Sequence, residues 1–198
     1  MKSVNPCGLK RAALINDLSC FGKCSLSVAI PILSSYGVET VPLPTAILST
    51  HTGGFTDAHV DAMRELCSLA DLITPNRTEA ALLAGLSFSS ADETLLYAQQ
   101  VKDAVITSVG SGNRIGYLAR LDGRVTLVQK EAVDMTVHGA GDVFTSALSG
   151  ELLSGQAPQT ALLRAADFCD SCIHETAKRQ PGHWYGLAFE PVLKGTRV

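Results

Sequence analysis

Several absences narrow what this chain can do. It has no basic excess: its 198 residues carry a formal net charge of −3, so neither nucleic acid nor an anionic membrane surface is an expected partner. It has no apolar run long enough to span a bilayer. Its first ten residues are polar, with Pro6 and Gly8, and lack the apolar core of a signal peptide. A cytoplasmic location is the resulting expectation. Metal-ligand spacing is missing from Cys7, Cys20, Cys24 and Cys67. The other two of the six cysteines, Cys169 and Cys172, precede His174 but have no second ligand pair. Ala165, Ala166, Phe168, Cys169, Cys172 and Ile173 repeat at helical spacing, so these thiols read as small, reduced core residues.

What the chain does have is apolar content. Hydrophobic residues make up 46% of it, enough at this length for one domain with a real core. Residues 1–10 read as a flexible N-terminal tail and 11–198 as a single domain. Residues 12–15 form an apolar strand that ends in Asn16-Asp17-Leu18-Ser19. Residues 24–36 read as a helix closed by Gly37. A second strand covers 38–43, with Pro42 and Pro44 marking an edge or a strand end. A helix at 62–69 and a strand at 71–74 follow, the strand stopped by Pro75-Asn76. Residues 78–84 form a helix ended by Gly85, and 92–102 an amphipathic helix. Residues 104–109 are an apolar strand, and 115–121 and 124–128 flank Asp122-Gly123, a hairpin signal. Helices from Gly141 to about Leu153 and over 160–178 complete the chain. Alternating strands and helices predict an α/β domain with a mostly parallel sheet, which binds ligands at the C-terminal ends of its strands.

The most informative stretch is Gly139-Ala140-Gly141-Asp142, which opens the helix at 141–153. Glycines allow a tight turn and close approach to a ligand. A helix start presents unpaired N–H groups and favours an anion. A carboxylate beside such a cradle would repel the anion, so it makes sense as a base that takes a hydroxyl proton while the amides hold a phosphoryl group. The plainer alternative is Asp142 as a helix cap. Asn16 to Ser19, and the polar segment 45–54 with Thr45, Ser49 and Thr52, could line a pocket for a small polar molecule. Asn76 and Glu79 offer an amide and a carboxylate at a strand-to-helix turn, or simply cap the helix; both readings stand. Thr107 and Ser108 end a strand and can meet a nucleotide. His51 and His138 read as structural hydrogen-bonding residues.

Taken together, these segments resemble the pyridoxal kinase branch of the ribokinase superfamily. Ile15-Asn16-Asp17-Leu18-Ser19 with Phe21-Gly22, and Pro44-Thr45-Ala46-Ile47-Leu48-Ser49 with His51-Thr52-Gly53, look like its vitamin-pocket segments. Ile73-Thr74-Pro75-Asn76 with Glu79-Ala80 looks like its magnesium and nucleotide segment, and Val105-Ile106-Thr107-Ser108 like its next nucleotide strand. Gly139-Ala140-Gly141-Asp142 with Phe144 is similar to its anion-hole and base motif, and His183-Trp184-Tyr185-Gly186 to the C-terminal end of the bacterial subgroup. The match breaks after Gly54: the family's middle strand–helix units are absent, as is their Asp-Pro-Val-type strand end.

The resemblance implies a ribokinase-like three-layer sandwich with a mostly parallel central sheet, shortened by an internal deletion. It implies transfer of the γ-phosphoryl group of ATP to the 5′-hydroxymethyl group of pyridoxal, pyridoxine or pyridoxamine in vitamin B6 salvage. Asp142 would be the base, and Gly139, Ala140 and Gly141 the anion hole. Asp17, Ser19, Thr45, Ser49 and Thr52 would hold the ring, and Asn76, Thr107 and Ser108 the nucleotide. Glu79 would act on Mg²⁺ through water, with a monovalent cation such as K⁺ as a further requirement. A homodimer is implied. The alternatives are a hydroxymethylpyrimidine kinase, or a catalytically impaired ligand-binding remnant that lacks the middle segment.

Overall fold

The computed structural model describes residues 8–20, 22–48, 57–85, 103–135, 138–179 and 185–195. The helix expected at 92–102, and Ser49, His51, Thr52, His183 and Trp184, lie outside the described residues. The chain divides into two compact units, one made of Met1–Thr52 and Val133–Val198, the other of Gly53–Ala132.

In the first unit, β1 (Arg11–Ser19) and β2 (Glu39–Leu48) pair in parallel, joined by the crossover helix α1 (Leu26–Ser35). Strand β2 runs five residues past the expected 38–43, straight through both prolines. The Glu39 N–H donates to the Lys10 carbonyl at 2.8 Å and so faces β1. By the two-residue period of a strand, the nitrogens of Pro42 and Pro44 face the other edge, where no ladder bond is lost. Among the described residues β2 is an edge strand. Its register shifts between Asn16 and Leu18, so that Asp17 lies opposite both Thr45 and Ala46. Such bulges re-aim side chains, often beside functional sites.

Helix α1 starts at Leu26, two residues later than the sequence suggested, because Ser25 is held at φ 58° and ψ −135°. Its buried face is Leu26, Val28, Ile32 and Leu33. It packs against α4 (Ala140–Leu153), which packs in turn on α5 (Pro158–Ala177). The contact face of α5 includes Ala161, Ala165, Ala166, Cys169 and Cys172, all fully buried. Residues this small let helix backbones approach closely, so the two cysteines are core residues, as their spacing indicated. Burial pushes the Cys172 thiol above its ordinary range. Near the end of α5 the Thr176 hydroxyl donates to the Cys172 carbonyl at 2.6 Å and accepts from the Ala188 N–H at 2.8 Å. This fixes the buried Leu187, Ala188 and Phe189 ahead of α6 (Glu190–Gly195).

The second unit holds α2 (Asp57–Leu69), α3 (Arg77–Ala84) and an antiparallel meander of β3 (Ala104–Ser111), β4 (Arg114–Leu121) and β5 (Arg124–Glu131). Its core is Ala80, Ile106, Val109 and Leu118, with Val125 packed against it. The β4–β5 turn is the one expected: Asp122 and Gly123 both have positive φ, 50° and 72°, as a two-residue turn of this hand requires. The strand expected at 71–74 is reduced to isolated parallel bridges from Ile73 to Ala104 and from Asn76 to Thr107. Proline explains the loss. Ile73 donates to Asp103 and accepts from Val105, but Pro75 can only accept, from Thr107 at 2.9 Å, so the ladder breaks there. The Arg64 guanidinium donates to the Leu82 and Leu83 carbonyls at 2.8 and 2.9 Å and satisfies the C-terminus of α3.

Candidate active site

In the first unit, a cavity of about 210 Å³ is lined by Asp17, Lys23, Cys24, Ser25, His138, Gly139, Asp142 and Tyr185. Asp142 stands in the first turn of α4. Val143 makes the first helical bond of α4, to Gly139 at 3.0 Å, so the amides of Ala140, Gly141 and Asp142 precede the helical ladder. Gly139 adopts φ 78° and ψ 4°, the left-handed region. A Cβ there would sit on the Lys23 carbonyl oxygen, well inside contact distance, whereas one at Gly141 would meet nothing. The two glycines of the motif therefore do different work. Gly139 lets two backbones touch, and Gly141 leaves open space in front of the helix start.

A chain of short hydrogen bonds joins the two carboxylates in the cavity. The Ser25 N–H donates to Asp142 Oδ2 at 2.8 Å, and the Ser25 hydroxyl donates to Asp17 Oδ1 at 2.8 Å. The Ser19 hydroxyl donates to Asp17 Oδ2 at 2.8 Å, and Cys24 Sγ lies 3.3 Å from Ser19 Oγ. Asp17 and Ser19, read from one segment of the sequence, and Gly139 and Asp142, read from another, are thus gathered in one place. Thr45 is exposed at the β2 bulge opposite Asp17.

Sequence reasoning missed Lys23, Ser25 and Tyr185. The Lys23 N–H donates to the Tyr185 carbonyl at 2.9 Å. The Lys23 ammonium pairs with Glu190 at 2.6 Å and lies 5.1 Å from the centre of the Phe189 ring. A Cβ on Gly186 would come within 2.9 Å of the Lys23 nitrogen. Gly22 ahead of Lys23, and Tyr185-Gly186 in the tail, were the available signals.

Asn76, Glu79, Thr107 and Ser108 belong to the second unit. The Asn76 side chain accepts from the Glu79 N–H at 2.9 Å, and Glu79 Oε2 accepts from the Asn76 N–H at 2.8 Å. This is a complete capping box, so the capping alternative describes these side chains. Thr107 is buried beside Asn76, and Ser108 takes φ 60° in the register shift of β3. Among the described residues no group of three or more His, Cys, Asp and Glu side chains forms a metal-holding cluster, and no helix is long and apolar enough to cross a membrane.

Comparison with known proteins matches residues 25–187 to the family model described as phosphomethylpyrimidine kinase. The pyridoxine kinase of Bacillus subtilis is 28% identical over 128 residues, which cover 60% of this chain and 47% of that protein. The hydroxymethylpyrimidine/phosphomethylpyrimidine kinase of Haemophilus influenzae is 31% identical over 132 residues, 61% of this chain and 49% of that protein. The chain thus spans about half the length of these curated relatives. A crystal structure from Bacteroides thetaiotaomicron, assigned as a phosphomethylpyrimidine kinase, superposes with a TM-score of 0.86 at 26% identity, over 95% of this chain and 94% of that one. A second crystal form of that protein contains pyridoxal. The fold is α/β and ribokinase-like, and the chain belongs to the phosphomethylpyrimidine kinase family, beside the pyridoxal kinases of the ribokinase superfamily.

Proposed function

We propose that the chain phosphorylates the 5′-hydroxymethyl group of pyridoxal, pyridoxine or pyridoxamine with ATP, in cytoplasmic vitamin B6 salvage. The observation that carries this reading is the Asp142 carboxylate in the first turn of α4, in one cavity with Gly139 and Asp17. Asp142 accepts the hydroxyl proton. A carboxylate is a weak base for an alcohol, so the proton moves late, as the attacking oxygen bonds to phosphorus. The amides of Gly139, Ala140 and Gly141 face the equatorial oxygens of the transferring group and stabilise their charge. Asp17 and Ser19 hold the pyridine substituents, joined by Thr45, Ser49 and Thr52.

The nucleotide is assigned to Asn76, Thr107 and Ser108. Magnesium is ordinarily held by one or two carboxylates together with substrate phosphates. Glu79, acting through water while its Oε2 serves the capping box, fits that pattern. When bound, the ion neutralises phosphate charge. A monovalent cation such as K⁺ and a homodimeric state complete the reading.

A hydroxymethylpyrimidine is the second candidate substrate, favoured by the family match and by the Haemophilus relative. The test is ADP release from ATP and Mg²⁺ with pyridoxal or hydroxymethylpyrimidine as acceptor, with Asp142→Asn in parallel. Pyridoxal-dependent turnover that vanishes in the variant supports the proposal. Turnover on the pyrimidine alone moves the assignment to the second substrate. Folded protein inert toward both overturns the kinase reading and leaves a ligand-binding remnant.

A further inference from the structure

Ser25 breaks two local rules at once. It is not glycine, yet it holds φ 58° and ψ −135°, a conformation that side chains rarely adopt. It is also the N-cap residue of α1, where a serine hydroxyl normally accepts a bond from the first helical turn; here there is no side-chain cap bond. Both departures have the same destination. The twisted backbone delivers the Ser25 N–H to Asp142, 117 residues away, and the diverted hydroxyl reaches Asp17, each at 2.8 Å. Ser25 is itself buried, and bonds to carboxylates are stronger than those a helix start would offer. Backbone strain of this kind concentrates where function over-determines geometry.

We propose that Ser25 is a positioning residue that sets the ring-holding carboxylate Asp17 and the base Asp142 as one unit, so that seating the substrate ring also aims the base. The proposal rests on the reading of Asp142 as the base. Ser25 touches neither the proton nor the phosphoryl group. Its N–H fixes the rotation of the Asp142 carboxylate, and its hydroxyl makes that fix depend on where Asp17 sits. Ser19, on the other oxygen of Asp17, closes the arrangement from the β1 side.

The decisive variant is Ser25→Gly. Glycine accepts the positive φ and keeps the N–H, but removes the hydroxyl. Thermal stability should stay at or above wild type, while KM for the vitamer rises about tenfold or more and kcat falls about tenfold, short of the roughly 100-fold of a full 1 Å misplacement because the residue 25 N–H stays on Asp142. KM for ATP should stay within about twofold. A merely structural residue would instead move both KM values together and in step with stability. In an Asp17→Asn background, Ser25→Gly should add less than about a further twofold, because the hydroxyl acts through Asp17. Vitamer affinity measured by calorimetry without ATP should follow the same pattern.

Wild-type kinetics in Ser25→Gly, or full additivity with Asp17→Asn, would overturn the proposal. Loss of turnover in Asp142→Asn with Ser25→Gly unaffected removes the role of Ser25 alone. Undiminished turnover in Asp142→Asn removes the base reading and this one with it, as does a folded wild type that neither binds nor phosphorylates a vitamer.

Discussion

The sharpest prediction concerns the two glycines of the Gly139-Ala140-Gly141 turn, which a sequence motif treats alike and the structure does not. Replacing Gly139 by alanine places a side chain in the left-handed region, at a cost of about 1–2 kcal/mol. It also drives the new Cβ onto the Lys23 carbonyl oxygen, with the carbonyl carbon at 3.3 Å. The obstacle is backbone and cannot swing aside, so an overpacking cost of about 1–3 kcal/mol adds to the first. The expected loss is about 2–5 kcal/mol, a large share of a typical domain's stability. Relief would require the turn to retreat from Lys23, carrying the amides of the helix start with it. A displacement on the order of 1 Å at such a site lowers turnover about 100-fold. Gly141→Ala meets no atom within 4 Å and lies at a helical position where alanine is favoured by up to about 1 kcal/mol, so it should be neutral or stabilising. Denaturant unfolding of both variants, with ADP release as the activity assay, tests the pair. A Gly139→Ala protein within about 0.5 kcal/mol of wild type, or a Gly141→Ala protein less stable than its neighbour, would refute the reasoning.

Asp142→Asn should lower kcat by roughly 10²- to 10⁴-fold with the fold intact, read by single-turnover kinetics beside a circular dichroism melt. Asn76→Ala removes one half of the capping box on α3 and should cost about 0.5–2 kcal/mol, measured as a shift in denaturant midpoint. Burial, reinforced by the Glu151 carboxylate, pushes the Tyr36 hydroxyl from 10.0 up to about 12. The folded state therefore holds this proton more tightly than the unfolded chain. The stability it confers is complete below pH 10 and is lost as the pH climbs toward 12. For a ring that is only partly buried the loss is screened to about 1 kcal/mol. Urea midpoints at pH 9 and pH 11 should show it in wild type, and Tyr36→Phe should shrink the difference by about that amount, leaving the part that the buried Cys172 thiol contributes over the same range.

Where the deciding forces were local, the sequence announced them. Asp122-Gly123 demands positive φ at two adjacent residues, and the turn formed where expected. Gly85 closes α3 in the left-handed conformation at φ 66°, as its position implied. Asp142 in the first turn of α4 was legible because glycines and a helix start can be recognised from a few neighbours. Ser25 was not: its N–H is bound to a carboxylate 117 residues away, and the cap its identity suggested is the bond it forgoes. Prolines weaken strands on average, so the sequence ends β2 at residue 43, whereas both nitrogens face the edge that carries no ladder among the described residues. The strand at 71–74 was read too long because the tolerance that β2 gives its prolines does not extend to Pro75, which faces a partner.

Among the described residues, those edge prolines also set a limit on the sheet. Over residues 42–44 the outer rim of β2 offers carbonyls but no donors at two alternate positions, so a further strand laid along it could form only half a ladder. Ile15, Leu43 and Ile47 lie exposed on these two strands, which would otherwise make them a template for uncontrolled pairing. The prolines act as a terminator, and substituting both by valine would convert a finished margin into an open one, with slow self-association of the folded protein as the consequence.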